Sequence, residues 1–240
     1  MHIGGFELAI AFVAVVVGSS IQGSIGFGMN LVVVPVVAIV EPKALPAVAV
    51  LLGFPLSITM FRHEPHDVDR TGLAWILTGR VPGTALGAWI VTAVSAVTLS
   101  SLAGVAVLSA VLMSLAGTTL AVRPRTCAAA GFTSGVMNTT AGIGGPPLAL
   151  LYQHHEGPVV RSTLAASFFF GTILSTATLA ATGSMHWWHV GVAAVLAPAA
   201  VSGGVFSRRF TGRIDAGWLR PAVLAFGAAS AVFVIVNGLV

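Results

Sequence analysis

Neutral hydrogen-bonding side chains gather at two glycine-rich interruptions of an otherwise apolar chain. At the first, Gln22, Ser24 and Asn30 surround Gly23-Ser24-Ile25-Gly26-Phe27-Gly28. At the second, Asn138, Thr139 and Thr140 precede Ala141-Gly142-Ile143-Gly144-Gly145-Pro146-Pro147. Closely spaced glycines favour non-helical backbone, so a helix is expected to break at each place. An apolar helical pattern resumes at Met29 and again at Pro146, and each restart presents a half-helix N-terminus. Unpaired N–H groups and the positive end of the helix dipole favour an anion there. Proline suits such a start, because it forfeits only N–H groups that lack partners. Amides and hydroxyls beside exposed backbone N–H groups can coordinate an oxyanion without a buried cation. The candidate binding set is therefore Gln22, Ser24, Gly26, Gly28, Asn30, Asn138, Thr139, Thr140, Gly142, Gly144, Gly145 and Pro146. The plainer reading is that these polar groups satisfy backbone freed by the breaks or bind helices together. The ordered recurrence of amide, hydroxyl and glycine in both places favours a site.

Other chemistry is less well supported. Arg80 is the charged residue best placed to lie within a span, nine residues after Thr71. Two readings are open: an electrostatic attractant for an anion, or a guanidinium that snorkels back to the interface, which is preferred. Glu7 is the one carboxylate inside an apolar run, so an intramembrane acid relay has little support. His186-Trp187-Trp188-His189 and His63-Glu64-Pro65-His66 each place two histidines three apart, without the zincin pattern. They read as interfacial histidines, with Trp187 and Trp188 as aromatic-belt anchors. Ser24 is not in a Gly-x-Ser-x-Gly elbow, and no histidine lies at evident membrane depth, so an enzyme is not expected. Cys127 is the single cysteine, which excludes an intrachain disulfide and a cysteine-rich metal centre. No metal and no cofactor is expected.

These residues are positioned by elements that water cannot solvate. Of 240 residues, 56% are hydrophobic and 8% charged, with a mean hydropathy of +0.98. Apolar runs cover residues 6–40, 44–61, 73–95, 98–121, 127–152, 162–182, 187–206 and 218–239. Crossing the hydrocarbon core takes about 20 residues of helix, and alternating barrel-type strands are not evident. The net charge of +4 is scattered over short connections, so nucleic acid is not an expected partner. The start of the chain lacks a basic n-region, and the first apolar run is expected to belong to the mature fold.

A shift of 116 residues pairs Gln22 with Asn138, Ser24 with Thr140, Gly26 with Gly142, Gly28 with Gly144, Pro82 with Pro198 and Gly87 with Gly203. Such ungapped correspondence predicts a duplication, residues 1–121 and 122–240, within one integral membrane domain. If the broken runs return to the side they entered, the Arg62 to Arg70, Arg123 to Arg125, Arg161 and Arg208 to Arg213 connections all face the cytoplasm. Lys43 is the exception. The two units are then inverted. The expected fold is an all-α integral membrane protein of two inverted-topology repeats, each a glycine-broken helical hairpin plus three transmembrane helices. Gly83 and Gly87 read as helix-packing contacts.

The chain resembles the sulfite exporter TauE/SafE family, also called the TSUP anion transporters. The resemblance is carried by Gly23-Ser24-Ile25-Gly26-Phe27-Gly28 followed by Pro35, and by Gly142-Ile143-Gly144-Gly145-Pro146-Pro147-Leu148 followed by Arg161-Ser162-Thr163-Leu164-Ala165-Ala166-Ser167. It spans nearly the whole chain. Gly26, Gly28, Gly142, Gly144 and Gly145 match the motif glycines, whereas Met29 and Asn30 replace the fuller glycine run of many members. The resemblance implies transport of sulfite, sulfonates or related organosulfur anions, with carboxylates carried by some members. The expected function is a multi-pass carrier of a small anion in the cell (inner or plasma) membrane, working by alternating access around a midplane site. Its partners are the anion and the lipid bilayer, and a homo-oligomer is left open. An anion channel and a non-transport membrane scaffold are the competing functions.

Overall fold

The computed structural model describes residues 4–62, 67–115 and 120–207, with positions 225, 228, 229 and 232. The apolar run 218–239, the arginines at 208, 209 and 213, and the 63–66 histidine pair fall outside these residues, apart from those four positions.

The described chain is helical. The first apolar run divides into α1 (Gly5–Ile25) and α2 (Met29–Val40), and a short 3-10 turn (Pro42–Ala44) leads to α3 (Ala47–Phe61). Then come α4 (Arg70–Ala93) and α5 (Ala96–Leu115). The second interruption separates α6 (Pro124–Ala141) from α7 (Gly145–Tyr152), and α8 (Gly157–Ala181) and α9 (Trp187–Phe206) follow. Among the described residues α1, α8 and α9 are long and apolar enough to cross a membrane. At 24 residues α4 has the length but is less apolar, with Arg70 at its start and Arg80 in its interior.

Both interruptions fall where glycine is required. α1 ends at Gly26 with φ 95° and α6 at Gly142 with φ 77°. Each is a left-handed cap that a side chain would strain. The Gly26 N–H donates to the Gln22 carbonyl at 2.7 Å, and the Gly142 N–H to the Asn138 carbonyl at 2.8 Å. The same closure thus ends both helices. Each short helix then folds back on the one before it. A Cβ at Gly18 of α1 would meet the Met29 backbone of α2, and the Ser134 hydroxyl of α6 donates to the Gly144 carbonyl at 2.6 Å. The run-and-break pattern expected from sequence is therefore two helical hairpins.

The long helices pair across the halves of the chain. α4 lies against α6, where Gly79, Gly83 and Gly87 face Ala128, Phe132 and Val136 in the same order, so the two helices run parallel. In return Gly131 and Gly135 of α6 accept the backbone of Ile76 and Arg80. Gly83 and Gly87 are packing glycines, as their spacing predicted. Without a hydrophobic drive between helices in lipid, close backbone approach over small residues supplies the van der Waals contact that holds such a pair. α9 lies parallel on α1 in the same way, with Gly203 against Val16 and Ser19, and Gly23 against Ser207. α3 packs on α8, where the Phe54 and Phe169 rings meet edge to face with centroids 5.6 Å apart. Large apolar side chains such as Phe6, Trp75 and Trp89 remain on the outside, the arrangement a lipid solvent favours.

The ends of the hairpins are tied down by polar contacts. Asp69 caps α4 by accepting the Gly72 N–H at 2.9 Å, and accepts the Tyr152 hydroxyl at 2.8 Å. Its own N–H donates to Thr163 at 3.0 Å. This residue joins the start of α4, the end of α7 and the flank of α8. At the start of α9, the His189 ring stacks on Trp188 at 3.8 Å, and its Nε2 lies 3.1 Å from the Lys43 carbonyl. Trp187, 88% exposed, projects outward.

Candidate functional site

The two hairpin tips meet at a cavity of about 30 Å³. That is room for about two waters in this arrangement. From the first tip it is lined by Gln22, Phe27, Gly28, Met29 and Asn30, and from the second by Asn138, Gly142, Ile143, Gly144, Gly145 and Pro146. Residues of α3 and α8, including Gly53 and Thr172, close it. Asn30 stitches the tips together, its Nδ2 donating to the Gly142 carbonyl at 2.5 Å and the Ala49 carbonyl at 3.3 Å. Two carbonyl acceptors fix the amide orientation, which leaves Oδ1 without a partner although it is buried.

The structure sorts the residues expected from sequence. Gln22, Gly28, Asn30, Asn138, Gly142, Gly144, Gly145 and Pro146 all line the cavity. Ser24 does not. Its hydroxyl donates to the Ser20 carbonyl at 2.8 Å, and it lines a separate vestibule of about 270 Å³ with Gln153 and Arg161. Phe27 and Pro146 line both spaces and stand between them. Gly26 packs against Val160 and Arg161. Thr140 bonds back within its own helix at 2.8 Å. Thr139 lies behind the cavity wall, where its hydroxyl is 2.9 Å from that of Ser175, which also accepts the Asn138 amide at 3.0 Å.

The backbone donors are fewer than the sequence led us to expect. At α2, the Met29 N–H is taken by Gln22 Oε1 at 3.1 Å, so this glutamine caps the half-helix. At α7, Gly145 is the only one of the first three residues with an N–H, since Pro146 and Pro147 have none. The motif glycines also differ in purpose. Gly28 has φ 119°, whereas Gly144 has an ordinary φ of −102° and is required for space. A Cβ there would lie 2.9 Å from the Ser134 hydroxyl, 3.0 Å from Arg80 Nη2 and 3.1 Å from Asn138 Cβ.

Arg80 corrects the expectation that its guanidinium snorkels outward. It is fully buried, pointing from α4 between α6 and α8, with Nη1 donating to the Ser167 carbonyl at 3.0 Å and the Ser167 hydroxyl at 2.9 Å. Gly171 makes room for it, since a Cβ at that position would collide with Arg80 Cζ. Arg80 lies in the interior of α4, as its place in the apolar run suggested, but the direction of its side chain depends on glycines at 144 and 171, more than 60 residues away in the chain.

Apolar membrane-length helices, paired broken hairpins and an internal polar cavity define an all-helical membrane protein of the transporter type. The sequence model of the sulfite exporter TauE/SafE family matches residues 10–234, and the chain belongs to that family of membrane transporters of sulfite and related anions. No curated protein and no solved structure matches the chain.

Proposed function

We propose that the chain carries sulfite, or a related sulfonate or organosulfur anion, across the plasma membrane by alternating access, with the anion held between the two hairpin tips. The observation that carries this reading is the cavity shared by both tips, where each half contributes an amide side chain and the glycines around its break. Gln22, Gly28, Asn30, Asn138, Gly142, Gly144, Gly145 and Pro146 surround the anion. Ser24, Gly26, Thr139 and Thr140 support the wall or the vestibule from behind it. The halves 1–121 and 122–240 act as inverted repeats in a multi-pass fold. This is supported by the exchange of contacts, in which α4 packs on α6 and α9 on α1. Rocking one group of helices against the other exposes the cavity first through the vestibule at Arg161 and then on the opposite face.

The test is thermal stabilisation of the detergent-purified protein against sulfite, sulfate, thiosulfate, sulfoacetate, taurine, acetate and chloride, because a ligand of the native state raises stability by mass action. Selective stabilisation by a sulfur oxyanion is expected, and a flat panel would sink the reading. In proteoliposomes, saturable counterflow of the stabilising anion is the second expected result. Unsaturable conductance would instead assign a channel.

A further inference from the structure

Among the described residues the proposed site has no charged side chain in its wall, and its half-helix donors are depleted by Gln22, Pro146 and Pro147. A negative ion leaving water for such a cavity loses a large hydration energy that neutral amides replace only in part. A positive charge lies behind Gly144. Arg80 is fully buried, and its Nη1 is held by two bonds to Ser167, while Nε and Nη2 are buried with no partner among the described residues. Buried N–H groups almost always find an acceptor, and here both orphans belong to one ion. They are also the two nitrogens on the side of the guanidinium away from Nη1, the edge that presents two parallel N–H bonds to a single oxyanion. Nη2 lies 3.0 Å from the point a Gly144 Cβ would occupy, so one glycine separates that edge from the cavity lining. Phe168 and Thr172 line the cavity on either side of Gly171, the residue whose bareness admits the guanidinium.

We infer that the free Nε/Nη2 edge of Arg80, oriented by Ser167, buried against Gly171 and separated from the cavity by the side-chain-free Gly144, is the charged fork that grips the transported oxyanion once the site opens around it. This rests on the transport reading and assigns its charged ligand. The fork donates two parallel N–H bonds to two oxygens of one anion, whereas a halide must take both N–H groups at a single centre with poorer alignment, so Arg80 favours an oxyanion. Lysine at this position keeps the charge but loses the edge.

The experiment measures binding of sulfite, acetate, phosphate and chloride to the full-length purified protein and to Arg80→Gln, Arg80→Lys and Ser167→Ala. We expect Arg80→Gln to weaken oxyanion binding roughly 10- to 100-fold, the worth of one or two lost charged hydrogen bonds, and chloride binding by less, because chloride loses the charge but not a two-oxygen match. Arg80→Lys is expected to leave most of that loss in place. Wild-type oxyanion affinity in Arg80→Gln would overturn the inference, and full recovery in Arg80→Lys would overturn the fork. If the Arg80 variants fail to insert, Ser167→Ala decides. It keeps the arginine and its carbonyl anchor, several-fold weaker oxyanion binding is expected, and unchanged binding would overturn the assignment. If the wild type binds acetate or phosphate through Arg80 but no sulfite, the fork stands and the sulfur-anion reading fails. If the wild type binds no oxyanion, both fall.

Discussion

The Asn30 amide of the first hairpin donates to the Gly142 carbonyl of the second, across 112 residues of chain. This bond joins the residue that follows the first break to the left-handed cap of the helix before the second. Asn30→Ala would leave the Gly142 and Ala49 carbonyls without their side-chain donor inside a closed interface. A loss of about 1–3 kcal/mol is expected, together with weaker anion binding because the tips are no longer held in register. Thermal unfolding with and without sulfite separates the two effects, and an unchanged melting point would show that the bond does not hold the tips.

Two glycines share nearly the same positive φ but not the same surroundings. Gly142 has φ 77° and a Cβ there would lie 2.6 Å from that of Ala49, whereas Gly183 has φ 72° and nothing within 4 Å. Gly183→Ala is expected to cost only the left-handed strain, about 1 kcal/mol. Gly142→Ala adds a clash between the hairpin tip and α3, and is expected to cost clearly more and to reduce transport. Equal melting points for the two variants would mean that the tip yields to the extra methyl.

Phe27 stands between the vestibule and the cavity, with its Cβ 2.8 Å from where a Gly145 Cβ would sit. Truncating the ring opens a direct connection. Phe27→Ala is expected to raise anion leak across proteoliposomes and to lower the ratio of counterflow to leak, with the protein still folded. A leak no greater than that of the wild type would remove Phe27 as the barrier.

Tyr152 is fully buried at the end of α7 and donates to Asp69, the residue that also caps α4. Tyr152→Phe keeps the ring and removes one charge-assisted hydrogen bond, for an expected loss of about 1.5–3 kcal/mol. Asp69→Ala removes the cap as well and is expected to cost more than Tyr152→Phe. A double variant less destabilised than the sum of the singles would place both residues in one network.

Much was legible in the sequence because the solvent imposes simple rules. Hydrocarbon demands long apolar runs with internally satisfied backbone, so the helices could be read from hydropathy, and a break in such a run must line protein or a cavity. The left-handed caps at Gly26 and Gly142 and the α4 packing glycines followed from local chemistry, and the glycine motifs carried the family. Tertiary structure alone decided which polar residues share a space. Helical periodicity tells which residues lie on one face but not which neighbour that face meets. Ser24 therefore looks into a vestibule, Thr139 bonds to Ser175 behind the wall, and Gln22 spends its carbonyl on capping Met29. The same reason governs Arg80, whose span the sequence located. Whether a long cation reaches for water or is buried is settled by the space and acceptors around it, and those come from Gly144 at the cap of α7 and from Ser167 and Gly171 on α8.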